Sequence, residues 1–332
     1  MKRGSGRKWG GRRKWLIAVA ILLAALAGAG IFFAYAPSLP PPADLKGTLQ
    51  NDSVTVADRT RMVQRYVPAA LPSGAPLLIV LHGSTQDALA IRQFSGYEFE
   101  RLADIHKFVV GYPNGYEGNW NDCRRAASYP ARALDIDDTA FTIALVEQAM
   151  ARQGINPARV YVIGYSNGGH LAFRLALEMP QRFAGLAAIA ANLPTDDNSI
   201  CRSTGVAVPF AIVNGTLDPI NPYAGGRVTL FGFGNRGTVL SSPVSAARFA
   251  GVFREAREKD VGVIGGAYPG VEQRAWEVGG EPRVVLYSVI GGGHVIPQPH
   301  YRAPRMLGRT VPEFNAPEAL WRFFMRLPAR SG

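Results

Sequence analysis

The segment Val160–Arg174, VYVIGYSNGGHLAFR, constrains the fold of this chain more than any other. A short apolar run at 160–163 is followed by the pentapeptide Gly164–Gly168, and apolar residues then recur at helical spacing. This pattern predicts a strand, a sharp turn and a helix, with the G-x-S-x-G signature of a nucleophile elbow. Ser166 is expected at the tip of the turn.

Two properties of such a turn favour a reactive Ser166. A tight turn holds the serine in an unfavourable backbone conformation, and the positions two before and two after it must be small so that strand and helix can pass closely. The helix beginning at Asn167 directs free N–H groups and its positive dipole end at the serine, where an oxyanion would form. The alternative is a glycine-rich turn in which Ser166 only caps the helix.

The positive charge of the chain is concentrated in its first residues. The net charge is +11, but residues 1–14 contain seven Lys/Arg and no acid, so the remaining residues carry only +4. A basic surface for nucleic acid is therefore not predicted, and no nucleic-acid partner is expected.

An uncharged stretch, Trp15–Tyr35, follows the basic residues, and a proline-rich segment follows it. The basic region, the apolar region and the small-x-small sequence Ala34-Tyr35-Ala36 are typical of a secretory signal peptide. The stretch is also long enough to span a bilayer, so an uncleaved anchor with its basic end in the cytoplasm is the alternative. Both interpretations predict an exported domain: periplasmic, secreted, or anchored in the inner membrane through residues 15–35.

Strand and helix patterns alternate along the rest of the chain. Two antiparallel strands are predicted over 53–57 and 62–67, and buried strands over 77–81, 108–112, 159–163, 183–190, 208–213, 271–278 and 283–290. Helices are predicted up to about Ala103, and over 138–153, 167–175, 245–259 and 317–326. Residues 222–243 are glycine-rich and are expected to form a loop over the site. The alternation predicts an α/β fold, a mostly parallel sheet with helices on both faces.

A serine hydroxyl needs a general base, and the base needs an acid to orient it. Of the five histidines, only His294 follows both a buried strand and a glycine triplet late in the chain, and Asp218 lies just beyond another strand end. The order Ser166, Asp218, His294 is that of α/β-hydrolases, whose catalytic groups gather at the carboxyl ends of the strands. Asp197 is the nearest alternative acid, but it follows no apolar run.

An oxyanion hole requires two backbone N–H groups. The predicted donors are Asn167, directly after the serine, and either Ser84 or Thr85 in the loop after the third strand. His82, interpreted as a support for this loop, and Trp120, in the loop 113–125, are candidate substrate-binding residues. Packing against its own loop is the alternative for Trp120.

The chain contains two cysteines, Cys123 and Cys201. An exported domain would permit them to form a disulfide, and two separate buried thiols are the alternative. Cysteine and histidine are too sparse and too scattered for a zinc site, so neither a metal nor a cofactor is expected.

Several segments in order resemble the polyhydroxybutyrate depolymerase and feruloyl esterase-like family of secreted α/β-hydrolases: LHGSTQ, YPNGYEGNWNDCR, DIDDTAF, RVYVIGYSNGGHLAFRLA, NGTLDPINPYAGG, GGGH and ALWRFF. The resemblance runs from about Pro76 to Phe324. It implies an exported serine carboxylesterase with Ser166, Asp218 and His294 as its triad. Its ester substrate would be a hydroxyalkanoate oligomer, or a feruloyl or acetyl ester of polysaccharide.

Two departures from the family pattern concern the substrate pocket. The family often has a cysteine at the position of Ser84, and Thr-Trp where this chain has Val295-Ile296. A peptidase or acyltransferase could use the same triad, and a catalytically silent envelope binding protein could use the same scaffold. The predicted organisation is a basic region 1–14, an export or anchor segment 15–36, a proline-rich linker 37–45 and an α/β-hydrolase domain 46–332.

Overall fold

The computed structural model describes residues 9–263 and 270–328, and the chain divides into two units. One unit comprises the residues up to Pro37 together with Pro304–Met306, and its helix α1 spans Trp9–Ala34. Within α1, the 21-residue span Lys14–Ala34 contains an 18-residue window with a mean hydropathy of 2.7, enough by length and composition to cross a membrane. Residues 1–8 of the predicted basic region lie outside the described residues.

The second unit, Ser38–Ala303 with the residues from Leu307 onward, contains all the strands of the described residues. In chain order they are β1 Thr48–Val56, β2 Arg59–Val67, β3 Leu77–Leu81, β4 Val109–Pro113, β5 Val160–Tyr165, β6 Gly185–Ile189, β7 Phe210–Gly215, β8 Gly226–Arg227, β9 Thr238–Val239, β10 Arg257–Val263, β11 Val271–Val278 and β12 Glu281–Val289. The helices of this unit are α2 Ala88–Phe94, α3 Glu98–His106, α4 Pro130–Ala133, α5 Asp138–Gln153, α6 Asn167–Glu178, α7 Ser242–Ala250 and α8 Ala316–Arg326.

Ten strands form one sheet in the order β1-β2-β4-β3-β5-β6-β7-β12-β11-β10. The six strands from β4 to β12 in this order are parallel, and an antiparallel pair extends the sheet at each edge. The prediction of a mostly parallel α/β-hydrolase sheet is confirmed. The register pairs Leu81 with Gly164 and Val289 with Gly215. The loops after these parallel strands therefore begin side by side, at the carboxyl ends of the strands.

Both faces of the sheet are covered by helices, as the continuous apolar strands predict. Along β3, Leu78 and Val80 belong to the core cluster that includes α2, α3 and α8, whereas Leu77, Ile79 and Leu81 belong to the cluster that includes α5, α6 and α7. Successive side chains of a strand point to opposite faces, so each face of β3 packs against its own helical layer.

Two helix predictions are wrong. The helix expected to end at about Ala103 is two helices, because Gly96 and Tyr97 adopt left-handed backbone with φ of 65° and 58°. The helix expected over 245–259 ends at Ala250, and residues from Arg257 form β10 instead, pairing antiparallel with β11. These residues form a strand because they pair with β11, which comes later in the chain. The spacing of apolar residues within the segment contains no information about that partner.

Candidate active site

Three strand ends bring Ser166, Asp218 and His294 together. Ser166 follows β5 directly, Asp218 lies in the loop after β7, and His294 lies in the loop after β12. The His294 Nε2 atom is 2.8 Å from Ser166 Oγ, and its Nδ1 atom is 2.8 Å from Asp218 Oδ2. Asp218 and His294 are buried, while Ser166 remains partly exposed at the cleft. The three residues singled out from the sequence thus form one hydrogen-bonded chain.

The turn at Ser166 has the strained geometry that its sequence predicts. Ser166 has φ of 52° and ψ of −113°, a positive-φ conformation that residues other than glycine rarely adopt. A Cβ atom on Gly164 would overlap the Gly168 carbonyl, and one on Gly168 would lie 2.6 Å from the His82 carbonyl oxygen. Both glycines are therefore required for β5, α6 and the loop after β3 to approach one another this closely.

Backbone N–H groups fix the orientation of the Asp218 carboxylate. Its Oδ1 atom accepts hydrogen bonds from the N–H groups of Ile220 and Asn221, each at 2.8 Å. Its Oδ2 atom is therefore left to face His294. A carboxylate held in this way selects the tautomer of His294 that carries its proton on Nδ1.

Gly215, the last residue of β7, lets the glycine triplet 291–293 before His294 lie directly on the start of the Asp218 loop. A Cβ atom on Gly215 would overlap the carbonyl groups of this triplet, and the Leu217 N–H donates to the Gly292 carbonyl at 2.9 Å. The Tyr165 hydroxyl donates to the His294 carbonyl at 2.8 Å, which ties the histidine loop to the residue before the serine. The triad geometry thus depends on backbone contacts as well as on the three side chains.

The two candidate oxyanion donors in the loop after β3 differ in availability. The Thr85 N–H donates to the Gly118 carbonyl at 2.8 Å, so the prediction of Thr85 as a donor is wrong. The Ser84 N–H has no acceptor among the described residues, and Ser84 lines the cleft beside Ser166. Asn167 is the first residue of α6, where a backbone N–H has no partner within the helix.

His82 and Trp120 are buried away from the cleft, so the prediction that they contact substrate is wrong. His82 Nδ1 is 2.7 Å from the Gly83 carbonyl oxygen, and its Nε2 accepts the Gly115 N–H at 2.9 Å. Loss of solvation lowers the pKa of His82 to about 4. Trp120 Nε1–H donates to the His82 carbonyl at 2.9 Å. The two side chains support the loop that carries Ser84, and packing, the alternative for Trp120, is what the structure shows.

The loop containing Trp120 is tied to the helix after the serine. Asn167 Oδ1 accepts the Trp120 N–H at 2.8 Å, and Asn167 Nδ2 donates to Asp122 Oδ2 at 2.7 Å. A disulfide joins Cys123 to Cys201, 78 residues later. The Asn167 amide thus holds the loop 113–125 next to the first turn of α6, and the disulfide ties the same loop to the segment around Cys201.

A cleft of about 250 Å³ opens above Ser166. Its wall includes polar residues that the sequence did not single out as binding groups, among them Arg124, Tyr129, His170, Asn221 and Arg236. Burial, and next the nearby Arg124 charge, hold the pKa of His170 well below its ordinary value, so this imidazole is neutral at pH 7. Among the described residues no cluster of His, Cys, Asp or Glu could hold a metal ion.

The family of the chain follows from its relatives. The family model described as esterase PHB depolymerase matches residues 63–205. A relative from Nocardia uniformis subsp. tsuyamanensis, named Putative esterase NocK, is 31% identical over 272 residues, covering 77% of this chain and 76% of the relative. The chain belongs to the esterase PHB depolymerase family. Membership places the protein in a family of carboxylic ester hydrolases.

A further relative and a solved structure are also similar to this chain. Poly(3-hydroxyalkanoate) depolymerase C from Paucimonas lemoignei is 28% identical over 250 residues, covering 70% of this chain and 58% of that longer protein. The structure of an acetyl xylan esterase from Aspergillus awamori covers 84% of this chain and all of its own, with a TM-score of 0.56 and 16% identity. At that identity the structural likeness shows the fold alone.

Proposed function

We propose that the protein is an exported serine carboxylesterase that works through an acyl-enzyme. The observation that carries the proposal is the hydrogen-bonded chain from Asp218 through His294 to Ser166, which ends at a partly exposed hydroxyl in the cleft. A hydroxyl next to a properly oriented imidazole is the arrangement that activates serine as a nucleophile near neutral pH.

In the first half-reaction Ser166 Oγ attacks the ester carbonyl carbon while His294 Nε2 accepts the hydroxyl proton. The backbone N–H groups of Ser84 and Asn167 stabilise the oxyanion that forms on the carbonyl oxygen. The C–O bond to the alcohol then breaks, and the imidazolium returns the proton to the departing oxygen. In the second half-reaction water attacks the acyl carbon while His294 Nε2 accepts one of its protons. The bond from that carbon to Ser166 Oγ then breaks, and the imidazolium returns the proton to Oγ, releasing the acid. Water is the one co-reactant required, so no cofactor is invoked.

The substrates we propose are hydroxyalkanoate oligomers, or feruloyl or acetyl esters of polysaccharide. The first class is supported by the relative named for poly(3-hydroxyalkanoate), and the second by the motifs of the sequence. A cleft of about 250 Å³ suits a short acyl or hydroxyacyl group, with the rest of a polymer outside.

We further propose that residues 15–36 direct export, as a signal peptide or as an inner-membrane anchor. The 21-residue apolar stretch within α1 supports this, and so does the disulfide, because disulfides persist in oxidising compartments. Fractionation of cells producing the full chain, with mass spectrometry of its first residue, tests both points. Recovery of the reduced, full-length chain in the cytosol would contradict export.

The catalytic proposal is tested with the full chain in detergent and p-nitrophenyl butyrate as substrate. Ser166→Ala should reduce kcat/KM by at least about 10⁴-fold, since the nucleophile is removed. Ser203→Ala, at an exposed serine outside the cleft, is the matched control and should retain activity. Full activity of Ser166→Ala would remove the assignment.

A fluorophosphonate probe separates the enzyme from a binding protein on the same scaffold. The folded protein should become labelled at Ser166, because the reagent reports an activated serine. Failure of the folded wild type to label would favour the binding protein. Turnover of a peptide in preference to every ester would instead favour a peptidase.

A further inference from the structure

The two arginines of the cleft wall differ in whether a nearby carboxylate neutralises their charge. Arg124 and Arg236 both line the cleft, and no acidic residue does so among those the structure describes. Arg124 is buried and forms a 2.5 Å ion pair with Asp122, so its charge is neutralised within the protein. Arg236 has no carboxylate within 4.0 Å in the described part of the chain. The cleft therefore carries one uncompensated positive charge.

The known contacts of Arg236 leave most of its guanidinium available. One N–H reaches the Gly234 carbonyl at 3.4 Å, and the group lies 5.3 Å from the centre of the Tyr129 ring. Its backbone is held firmly, because its N–H donates to the Val228 carbonyl at 2.9 Å and its carbonyl accepts from Asn198 Nδ2 at 3.2 Å. The backbone position of Arg236 is thus fixed by the loop, and the residue lines the cleft with one guanidinium hydrogen bond among the described residues.

Asn221 provides a second, independent indication of a polar ligand. Its side chain is 1% exposed and lines the same cleft, yet neither Oδ1 nor Nδ2 has a partner among the described residues. A buried amide without partners costs free energy, which a bound polar group would recover. The backbone N–H of Asn221 donates to Asp218 Oδ1, so the side-chain amide of the same residue is held close to the triad.

The positive charge of Arg236 affects another residue of the cleft wall. Besides burial and Arg124, Arg236 is among the causes that lower the pKa of His170, another residue of the wall. An anionic group entering this space would meet an unpaired guanidinium in a partly desolvated setting, where charge-assisted hydrogen bonds are strong.

We propose that Arg236 binds a carboxylate of the substrate, with the Asn221 amide as a further donor, so that the enzyme prefers esters bearing a free carboxylate. This proposal rests on the proposed esterase function and names its substrate class. The carboxylate can belong to the alcohol side of the ester, as in a hydroxyalkanoate oligomer, or to the acyl side, as in a half-ester of a dicarboxylic acid.

Two matched substrate pairs test the proposal on the full chain in detergent. The linear dimer of 3-hydroxybutyrate, compared with its terminal carboxamide, varies the charge on the alcohol side. Monomethyl glutarate, compared with methyl pentanoate, varies it on the acyl side. In at least one pair, kcat/KM should be about tenfold higher for the acid than for the neutral ester, and the pair that shows this identifies the side.

Substitutions of Arg236 should change this ratio. Arg236→Gln should lower the acid-to-neutral ratio about tenfold, and Arg236→Lys should keep part of it, because the charge remains without the planar fork of donors. The matched control is Arg227→Gln, which removes the same charge from an exposed position in the same loop, outside the cleft wall. It should retain the wild-type ratio.

The outcomes are distinct. No preference for the acid in either pair, a ratio unaffected by Arg236→Gln, or an equal loss in Arg227→Gln would overturn the carboxylate site while leaving the esterase intact. No hydrolysis of any of the four esters by a protein that hydrolyses p-nitrophenyl butyrate would likewise overturn the carboxylate site, whereas no hydrolysis of p-nitrophenyl butyrate either would contradict the proposed function. If Arg236→Gln does not fold, the wild-type ratio must still fall as salt is raised, and a salt-independent ratio would overturn the proposal.

Discussion

Asp218→Asn is the most informative single change, because the structure dictates how the new amide must sit. The two N–H groups of Ile220 and Asn221 require an oxygen at the Oδ1 position. The asparagine therefore places its oxygen there and turns its NH₂ group toward His294 Nδ1. To avoid a contact between two donors, the imidazole must carry its proton on Nε2, which faces Ser166. In that tautomer His294 cannot accept the serine proton.

The expected loss in kcat is about 10⁴-fold, a barrier increase of about 5 kcal/mol, with KM little changed. Stability should be nearly unaffected, because both backbone N–H groups keep an acceptor. Asp218→Ala is the contrasting variant: it leaves those two buried donors unpaired and should lower the free energy of unfolding by about 2–6 kcal/mol. The assay is p-nitrophenyl butyrate hydrolysis together with urea unfolding. A folded Asp218→Asn enzyme within about tenfold of wild-type activity would refute the reasoning.

Two further predictions concern stability. Replacing Cys123 and Cys201 together by alanine should lower the free energy of unfolding by about 4 kcal/mol, since the disulfide closes a loop of 78 residues; an unchanged urea midpoint would contradict this. The pKa of His82, about 4 when folded and 6.5 when unfolded, means that protons bind the unfolded chain more readily. The stability that neutral His82 contributes to the folded state, about 3 kcal/mol, is therefore lost as the pH falls from about 6.5 to about 4. His82→Gln keeps a donor for Gly83 and an acceptor for Gly115 but should lack this loss of stability. If the free energy of unfolding of wild type and variant changed with pH in parallel, this prediction would be refuted.

The sequence predicts the reactive part of this protein well because short segments encode it. Ser166 lies in a five-residue motif with steric requirements of its own, and Asp218 and His294 each follow an apolar strand. The parallel sheet then places the three strand ends at one edge, which the alternation of elements already indicates. The members of the triad could be named from the sequence, whereas the distances between them could be measured only in the structure.

Residues whose role depends on distant neighbours are the ones that sequence reasoning misjudged. Trp120 is typical of a pocket wall by residue type and loop position, yet its indole N–H donates to the carbonyl of a residue 38 positions earlier. Thr85 and Ser84 are adjacent and equally suited as donors, and a contact with Gly118 separates them. Arg236 lies in a glycine-rich segment without periodicity, where no local pattern distinguishes it from Arg227.

The loop after β7 joins two functions that are separate in the sequence. Its first residues orient the triad, because the backbone of Asn221 donates to Asp218, while the side chain of the same Asn221 lines the cleft. The loop continues to Arg236, which lies between the paired strands β8 and β9 and lines the same cleft as Asn221. The proposed carboxylate site therefore lies on the same segment as the triad acid. A substrate that draws Asn221 and Arg236 toward it would act on the same loop that positions Asp218, so recognition and catalysis would be coupled through the backbone between them.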